Sequence, residues 1–164
     1  MRYFFCPKCG GKLKIELEHN KKQMICTKCS FIFYQNSKPT ASAIISKNGK
    51  ILLGKRSVEP YKNLWDVPGG FLEYGELPEA GLKREIKEEV GVKIKIKKIV
   101  GIFMDTYGKN GDWTMNIYYE CEIISGTPRP DDDVSELKWF DKNKLPPLAF
   151  KNGEKAILAW LKLS

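Results

Sequence analysis

Gly70-Phe-Leu-Glu-Tyr-Gly-Glu-Leu-Pro-Glu-Ala-Gly-Leu-Lys-Arg-Glu-Ile-Lys-Glu-Glu-Val-Gly-Val92 reads as a glycine loop that runs into a helix. The turn Pro68-Gly69-Gly70 and then Pro78 supply the start. Proline is tolerated in a first helical turn because its missing N–H would have no intrahelical partner there. Gly91 supplies the stop. At about 100° per residue, Leu82, Ile86 and Val90 share one face, and Glu85, Glu88 and Glu89 gather on a neighbouring one. Carboxylates at i, i+3 and i+4 repel each other, so a helix built for stability alone would set lysines between them. A hard divalent cation resolves the conflict, and an all-oxygen set suits Mg²⁺ or Mn²⁺ better than zinc or copper. Gly81 lies on the acidic side, where its missing side chain would leave room for a metal-bound ligand.

These residues carry a family resemblance. The stretch resembles the Nudix box, G-x5-E-x7-R-E-U-x-E-E-x-G-U with U a bulky aliphatic residue. All fixed positions are met, by Gly70, Glu76, Arg84, Glu85, Ile86, Glu88, Glu89, Gly91 and Val92. The resemblance implies a divalent-metal hydrolase that cleaves a nucleoside diphosphate linked to another group, on an α/β/α sandwich. It also implies Glu85, Glu88, Glu89 and Gly70 as the metal-binding set, and an Arg84–Glu76 pair holding the loop to the helix. For the general base, family members use either a box glutamate, here Glu88, or one from a later loop, here Glu136. Arg56, Glu73 and Tyr107 are the candidate substrate contacts.

Upstream, Cys6-Pro-Lys-Cys9 and Cys26-Thr-Lys-Cys29 are two Cys-x-x-Cys knuckles separated by 16 residues. That spacing is the pattern of a closed tetrahedral Cys₄ zinc site, with no open position for water and therefore a structural metal. Lys12 to Met24 alternates enough to form a hairpin between the knuckles, so residues 1–36 resemble a zinc ribbon. Two disulfides are the competing arrangement, disfavoured because no secretion signal is seen. A thioredoxin-like redox motif ranks lower still. His19 reads as an exposed turn residue, since the four cysteines already complete a ligand set.

Residues 37–164 read as the second domain, entered through Ser37-Lys-Pro. Ala41–Ile45 and Ile51–Lys55 flank Asn48-Gly49, a strong hairpin signal. Val92–Phe103, Trp113–Ile124 and Leu137–Phe140 are further strands. Glu154–Leu163 is a closing helix with Ala156, Ile157, Trp160 and Leu161 inward. Several strands with one helix early and one at the end give an α/β domain, a mixed sheet between helices. Cys121 falls on the apolar side of its strand as a core thiol, and Asp131-Asp-Asp133 reads as a solvated loop.

Of 164 residues, 28 are basic and 20 acidic, a formal charge of +8. Four thiolates around a zinc ion would lower that only slightly. A basic chain favours anionic partners, a small-molecule nucleotide first, with nucleic acid allowed but not expected. The lysines at 93, 95, 97 and 98 read as a polar strand face. No apolar run approaches the roughly 20 residues of a membrane span, and no signal peptide is seen, so a cytoplasmic location is expected. Self-association as a homodimer is kept as an open alternative.

The two-part layout is similar to the NADH pyrophosphatase group. That group carries Ser-Gln-Pro-Trp-Pro-Phe-Pro-x-Ser after the box; here Gly101-Ile-Phe-Met-Asp-Thr-Tyr-Gly-Lys109 has no proline. ADP-ribose hydrolases of the family commonly have a proline about fifteen residues past the box. Tyr107 and Gly108 stand there instead, nearer to what diadenosine polyphosphate hydrolases show. The expected substrate is ADP-ribose or an NAD(H)-like dinucleotide, followed by a nucleoside triphosphate, then a diadenosine polyphosphate or capped RNA. A nucleic-acid-binding or nucleotide-sensing regulator on the same fold is the alternative from another class; the intact acidic set, which a pure binder would not need, speaks against it.

Overall fold

A computed structural model describes residues 3–18 and 20–163, so His19 lies outside the described residues. The chain divides into two compact units, residues 1–37 and 38–164.

In the first unit, β1 (Leu13–Glu18) and β2 (Lys21–Cys26) form the antiparallel hairpin expected between the knuckles. A two-residue strand, β3 (Ile32–Phe33), adds to β2. The knuckles repeat one backbone device. The N–H of Gly10 bonds the carbonyl of Cys6, and the N–H of Ser30 bonds that of Cys26. Gly10 and Ser30 both take positive φ, at 71° and 56°. Each turn thereby brings its two sulfurs to the same side.

The second unit holds a seven-stranded sheet. Its main path runs β10 (Val134–Asp141), β5 (Lys50–Arg56), β4 (Lys38–Lys47), β9 (Trp113–Ser125), β8 (Lys93–Thr106). Among these named strands β4 and β9 run parallel and the other pairs are antiparallel. Two short strands, β6 (Trp65–Asp66) and β7 (Gly69–Phe71), pair with β5 and β4 respectively. The sheet is therefore mixed, as expected.

Helix α1 (Pro78–Val90) lies on one side and helix α2 (Lys151–Leu163) on the other. The period-2 geometry of strands sends Ala41, Ala43 and Ile45 to the α1 core, with Leu82, Ile86 and Val90. It sends Ile44, Ile51 and Leu53 to the α2 core, with Ala156, Ile157 and Trp160. Burying each large aliphatic side chain contributes roughly 1.5–3 kcal/mol. Cys121 sits in the α1 core, and Leu161 packs only partly into the other. The lysines of β8 face solvent, and Lys95, Lys97 and Lys98 pair with Glu120 and Glu122. A register shift between Ile96 and Lys98 lets Lys97 and its neighbour both reach Glu120.

One irregularity creates the site. The β4–β5 hairpin pairs only next to its turn, at Ser46↔Ile51 and Lys47↔Lys50, and then splays. The opened edges are filled by β6 on β5 and β7 on β4. The segment between them, entered from Trp65 and left at Phe71, is thus held across the sheet surface at the base of α1.

Candidate active site

Helix α1 opens on Pro78 and ends at Gly91, whose φ of 72° closes the last turn with an N–H bond to the carbonyl of Lys87. The carbonyls one turn from a helix end need partners from elsewhere. Those of Glu89 and Val90 accept from the N–H groups of Asp131 and Arg129, at 3.1 and 3.0 Å. This docking carries the loop after β9 onto the acidic face of α1. Asp132, at φ 53°, then turns the chain so that Asp133 stands beside Glu89.

The glycine loop approaches the same face. A Cβ at Gly70 would meet the Glu85 carboxylate at 2.5 Å, and one at Gly69 would meet the Ala41 carbonyl oxygen at 2.2 Å. With φ at 141°, Gly69 also occupies a region that side chains rarely adopt, and its N–H donates to Glu89 Oε2 at 2.8 Å. Gly81 is different. The space next to it is filled by Leu72 Cδ2 and Glu76 Oε2, 2.5 and 2.7 Å from where a Cβ would stand. The room expected there for a metal-bound ligand is taken by the packing of loop on helix.

Arg84 binds the loop. Its Nε and Nη2 donate to the two oxygens of Glu76 at 3.0 and 2.8 Å, and Nη2 also reaches the Phe71 carbonyl at 3.2 Å. The two-pronged hydrogen bond to Arg84 holds the Glu76 carboxyl down to about 2. Nη1 donates to Glu85 Oε1 at 2.8 Å and Glu88 Oε2 at 3.1 Å. Arg84 thus partly balances two of the three acids. Glu89 has no such help. It is 6% exposed, and desolvation, then the charge of Asp133, push its carboxyl well above the usual carboxylate range. Desolvation raises Glu85 as well.

A buried, all-oxygen cluster with excess negative charge is the chemistry a hard divalent cation relieves, so the residues present fit such an ion. With Arg84 drawn between Glu85 and Glu88 and Glu89 turned to Gly69, their oxygens are not gathered as tightly as the cysteine sulfurs. Among the described residues, only Cys6, Cys9, Cys26 and Cys29 place three or more ligand atoms all within 4.8 Å of one another. Their sulfurs stand 3.3 to 3.8 Å apart where they touch. That spacing fits four thiolates around one tetrahedral ion. Desolvation pushes the Cys26 thiol up, but the backbone N–H groups of Cys29 and Lys28 outweigh it and bring it to about 6.

In front of Glu85 and Glu89 lies a cavity of about 230 Å³. Gly70, Asp132, Asp133, Arg56 and Tyr107 also line it. Arg56 is braced by the Pro60 carbonyl, the Tyr107 hydroxyl and Asp66, at 2.8, 3.2 and 3.6 Å. Desolvation, opposed by Arg56, pushes Asp66 up to about 7. Other walls are the aromatic rings of Phe71 and Phe150, Asp66 and Asn152, and a polar floor from β4 and β9 that includes Thr40, Ser42, Thr114, Asn116 and Tyr118.

Residues 36–161 match the NUDIX domain, and residues 5–35 match the Nudix N-terminal zinc ribbon. The chain belongs to the NUDIX family. Among relatives, this NUDIX chain is 36% identical over 129 residues to the ADP-ribose pyrophosphatase of Methanocaldococcus jannaschii, covering 79% of the chain and 76% of that protein. It is 31% identical to the NAD-capped RNA hydrolase NudC of Vibrio atlanticus over 88% of the chain but only 52% of that protein. The chain therefore spans about half the length of the NudC relatives. A crystal structure of a NUDIX hydrolase from Nitrosomonas europaea superposes with a TM-score of 0.83 at 24% identity, covering 98% of this chain and 91% of that one, a likeness of fold.

Within the NUDIX unit, the cavity gathers five of the residues named from sequence: Gly70, Glu85, Glu89, Arg56 and Tyr107. Glu88 stands on the same helix face, half exposed and outside the lining. Glu73 is exposed in the loop, where its N–H bonds Glu76. Glu136 lies on β10 directly opposite Lys55, paired with it at 3.6 Å and outside the cavity lining. The register shift between Val134 and Glu136 separates it from Asp133, which does line the cavity. Asp131-Asp-Asp133 was expected as a solvated loop, yet Asp133 is only partly exposed beside Glu89. Asp66, Phe150, Asn152 and the polar floor carried no motif. Thr114 and Asn116 lie on the face of β9 opposite Ile117 and Cys121.

Proposed function

We propose that this chain hydrolyses the pyrophosphate bond of a nucleoside diphosphate derivative, with ADP-ribose or an NAD(H)-like dinucleotide as substrate and Mg²⁺ or Mn²⁺ as the catalytic metal. The observation that carries this reading is the opening of Glu85 and Glu89 into a cavity whose other walls are aromatic and polar. A phosphoanhydride at the acidic end would leave its nucleoside or sugar against those walls. The ADP-ribose pyrophosphatase relative, aligned over most of both chains, supports the substrate class. The NudC relatives put NAD-like ends next in line.

Glu85, Glu88 and Glu89 would hold the metal, with Asp133 adding charge from the loop after β9. When bound, the ion supplies neutralisation of the phosphoryl oxygens and a water acidified toward neutral pH. Arg84 fixes the glycine loop against the helix through Glu76, which sets the floor on which the phosphates rest. Water adds to one phosphorus, the bridging P–O bond breaks, and the leaving phosphate departs with the electron pair. We assign the proton from that water to Glu88, which stands on the helix face of Glu85 and Glu89, whereas Glu136 lies on β10 opposite Lys55. Products from ADP-ribose are AMP and ribose 5-phosphate. Residues 1–36 act as a structural zinc ribbon in front of a hydrolase domain of residues 37–164, in a reducing compartment such as the cytoplasm, which keeps the cysteines from pairing as disulfides.

Purified protein with Mg²⁺ or Mn²⁺ against ADP-ribose, NADH, NAD⁺, diadenosine polyphosphates, sugar nucleotides and nucleoside triphosphates tests this, with products separated by chromatography. Turnover is expected for ADP-ribose or NADH, at least tenfold above the triphosphates. Silence across the set, with the metal bound, would transfer the reading to a nucleotide-sensing regulator.

A further inference from the structure

In the loop after β5, one bulky side chain stands on a backbone that suits it poorly. Tyr61 has a φ of 66°, in the left-handed region, where a residue with a large side chain is an outlier. Glycine or asparagine would take that backbone with less strain. Strained residues persist where their surroundings hold them, and they gather at functional sites. The loop around Tyr61 is well held. Arg56, the last residue of β5, donates its N–H to the Leu64 carbonyl at 3.0 Å, and its carbonyl accepts from the Asn63 N–H at 2.9 Å. The Leu64 N–H donates to the Tyr61 carbonyl at 3.1 Å.

Two parts of this loop converge on the Arg56 guanidinium. The Pro60 carbonyl, next in the chain to Tyr61, accepts from Arg56 Nε at 2.8 Å. The Tyr61 ring meets Phe150 edge-on with centroids 5.2 Å apart, and Phe150 stacks on Tyr107 at 5.7 Å. The guanidinium carbon lies 5.2 Å from the Phe150 centroid and 5.9 Å from that of Tyr107, within reach of both ring faces. Tyr61 therefore backs the rings against which Arg56 rests. Arg56 has reason to be held. Among the described residues that line the cavity it is the one cation, and Glu85, Glu89, Asp132 and Asp133 line the same space. A second hollow, of about 10 Å³, is bordered by Arg56, Asp66, Glu89 and Asp133 together. The N–H of Ser57, the next residue, donates to the Asp133 carbonyl at 2.8 Å. Arg56 thus stands beside the acids that fit a divalent cation. In a site shielded from water, a loose guanidinium would be drawn onto those carboxylates, where it would compete with the metal.

We propose that Tyr61 is a positioning residue: wedged against Phe150 on its left-handed backbone, it holds Arg56 back from Glu89 and Asp133. The acids are thereby left to the metal, and Arg56 to an anionic group of the substrate. The second of these roles rests on the reading of the cavity as a nucleotide site; the restraint on Arg56 does not.

Mn²⁺ titration of the zinc-loaded chain, followed by electron paramagnetic resonance, tests this without turnover. The proteins are the wild type, Tyr61→Asn, Tyr61→Phe, Arg56→Met, and the double variant of Tyr61→Asn with Arg56→Met. Asparagine accepts the left-handed backbone and has no ring; phenylalanine keeps the ring. Tyr61→Asn is expected to bind Mn²⁺ about tenfold more weakly than the wild type, and Tyr61→Phe equally well. Adding Arg56→Met to Tyr61→Asn is expected to restore the affinity to that of Arg56→Met alone, since the two residues act as one unit. The same loss in both backgrounds would overturn the proposal, because a residue that only shapes the fold does not need Arg56 to be felt. Equal Mn²⁺ affinity in the wild type and Tyr61→Asn would overturn it too. Melting temperature is expected to hold in Tyr61→Asn and in a second variant, Tyr61→Gly. Early melting of both would make Tyr61 a residue of the fold and sink the idea. With ADP-ribose, Tyr61→Asn is expected to raise KM at least tenfold with a smaller change in kcat. Should the wild type leave ADP-ribose intact while the Mn²⁺ pattern holds, the substrate reading falls and the restraint stands. Should ADP-ribose be cleaved while Tyr61→Asn leaves Mn²⁺ binding unmoved, only the restraint falls. No Mn²⁺ binding by any of these proteins would overturn both.

Discussion

Glu89→Gln is expected to lower turnover about a thousandfold, or roughly 4 kcal/mol of transition-state stabilisation, while the fold survives. The change keeps the volume of the side chain and an oxygen that can accept from Gly69, so the loop should stay in place. It removes charge from the most deeply buried acid of α1, the one whose carboxyl is pushed furthest by desolvation and by Asp133. A neutral amide there relieves repulsion in the metal-free protein. Thermal stability without metal is accordingly expected to hold or rise as activity collapses. Steady-state rates with ADP-ribose and Mg²⁺, beside melting curves with and without the ion, check both halves. A variant that melted early would instead show that Glu89 serves the fold.

Zinc removal is expected to act on the other unit. Among its described residues the ribbon has no large apolar core: only Cys6 and Cys26 are buried hydrophobics, while Phe4, Phe5, Ile15 and Leu17 remain exposed. A unit of this size lacks the burial needed to fold alone. Metal binding to four thiolates supplies roughly 10–16 kcal/mol in such modules. Cys9→Ser, or treatment with a strong chelator, should therefore melt β1 and β2, seen as loss of amide exchange protection in residues 13–26. Residues 38–164 carry two apolar cores of their own and should keep theirs. Retained protection in the chelated ribbon would show that its hairpin needs no metal.

Much of this architecture could be read from the residues, for reasons that differ by element. Pro78, Gly91 and the Leu82–Ile86–Val90 stripe bound α1 because helix signals are local. Asn48-Gly49 likewise announced the β4–β5 hairpin. The cysteine spacing carried the knuckles, since two close pairs of sulfurs have few other uses. The cavity was harder to read. It arises where that hairpin splays, and nothing in the strand sequences marks the residue at which pairing stops. Asp133 depends on two backbone bonds from its loop to the end of α1, which any sequence could make. Glu136 stood level with Glu88 as a candidate base in the sequence, and its place on β10, opposite Lys55, follows from a strand register that the sequence does not mark.

The central claim is that the carboxylates of α1 form one divalent-cation site, and Mn²⁺ titration followed by electron paramagnetic resonance tests it most directly. A saturable Mn²⁺ site is expected on the wild-type chain, displaced by Mg²⁺ and weakened at least tenfold in Glu85→Gln and in Glu89→Gln, with the zinc content unchanged. Mn²⁺ binding of equal strength in all three proteins would contradict it.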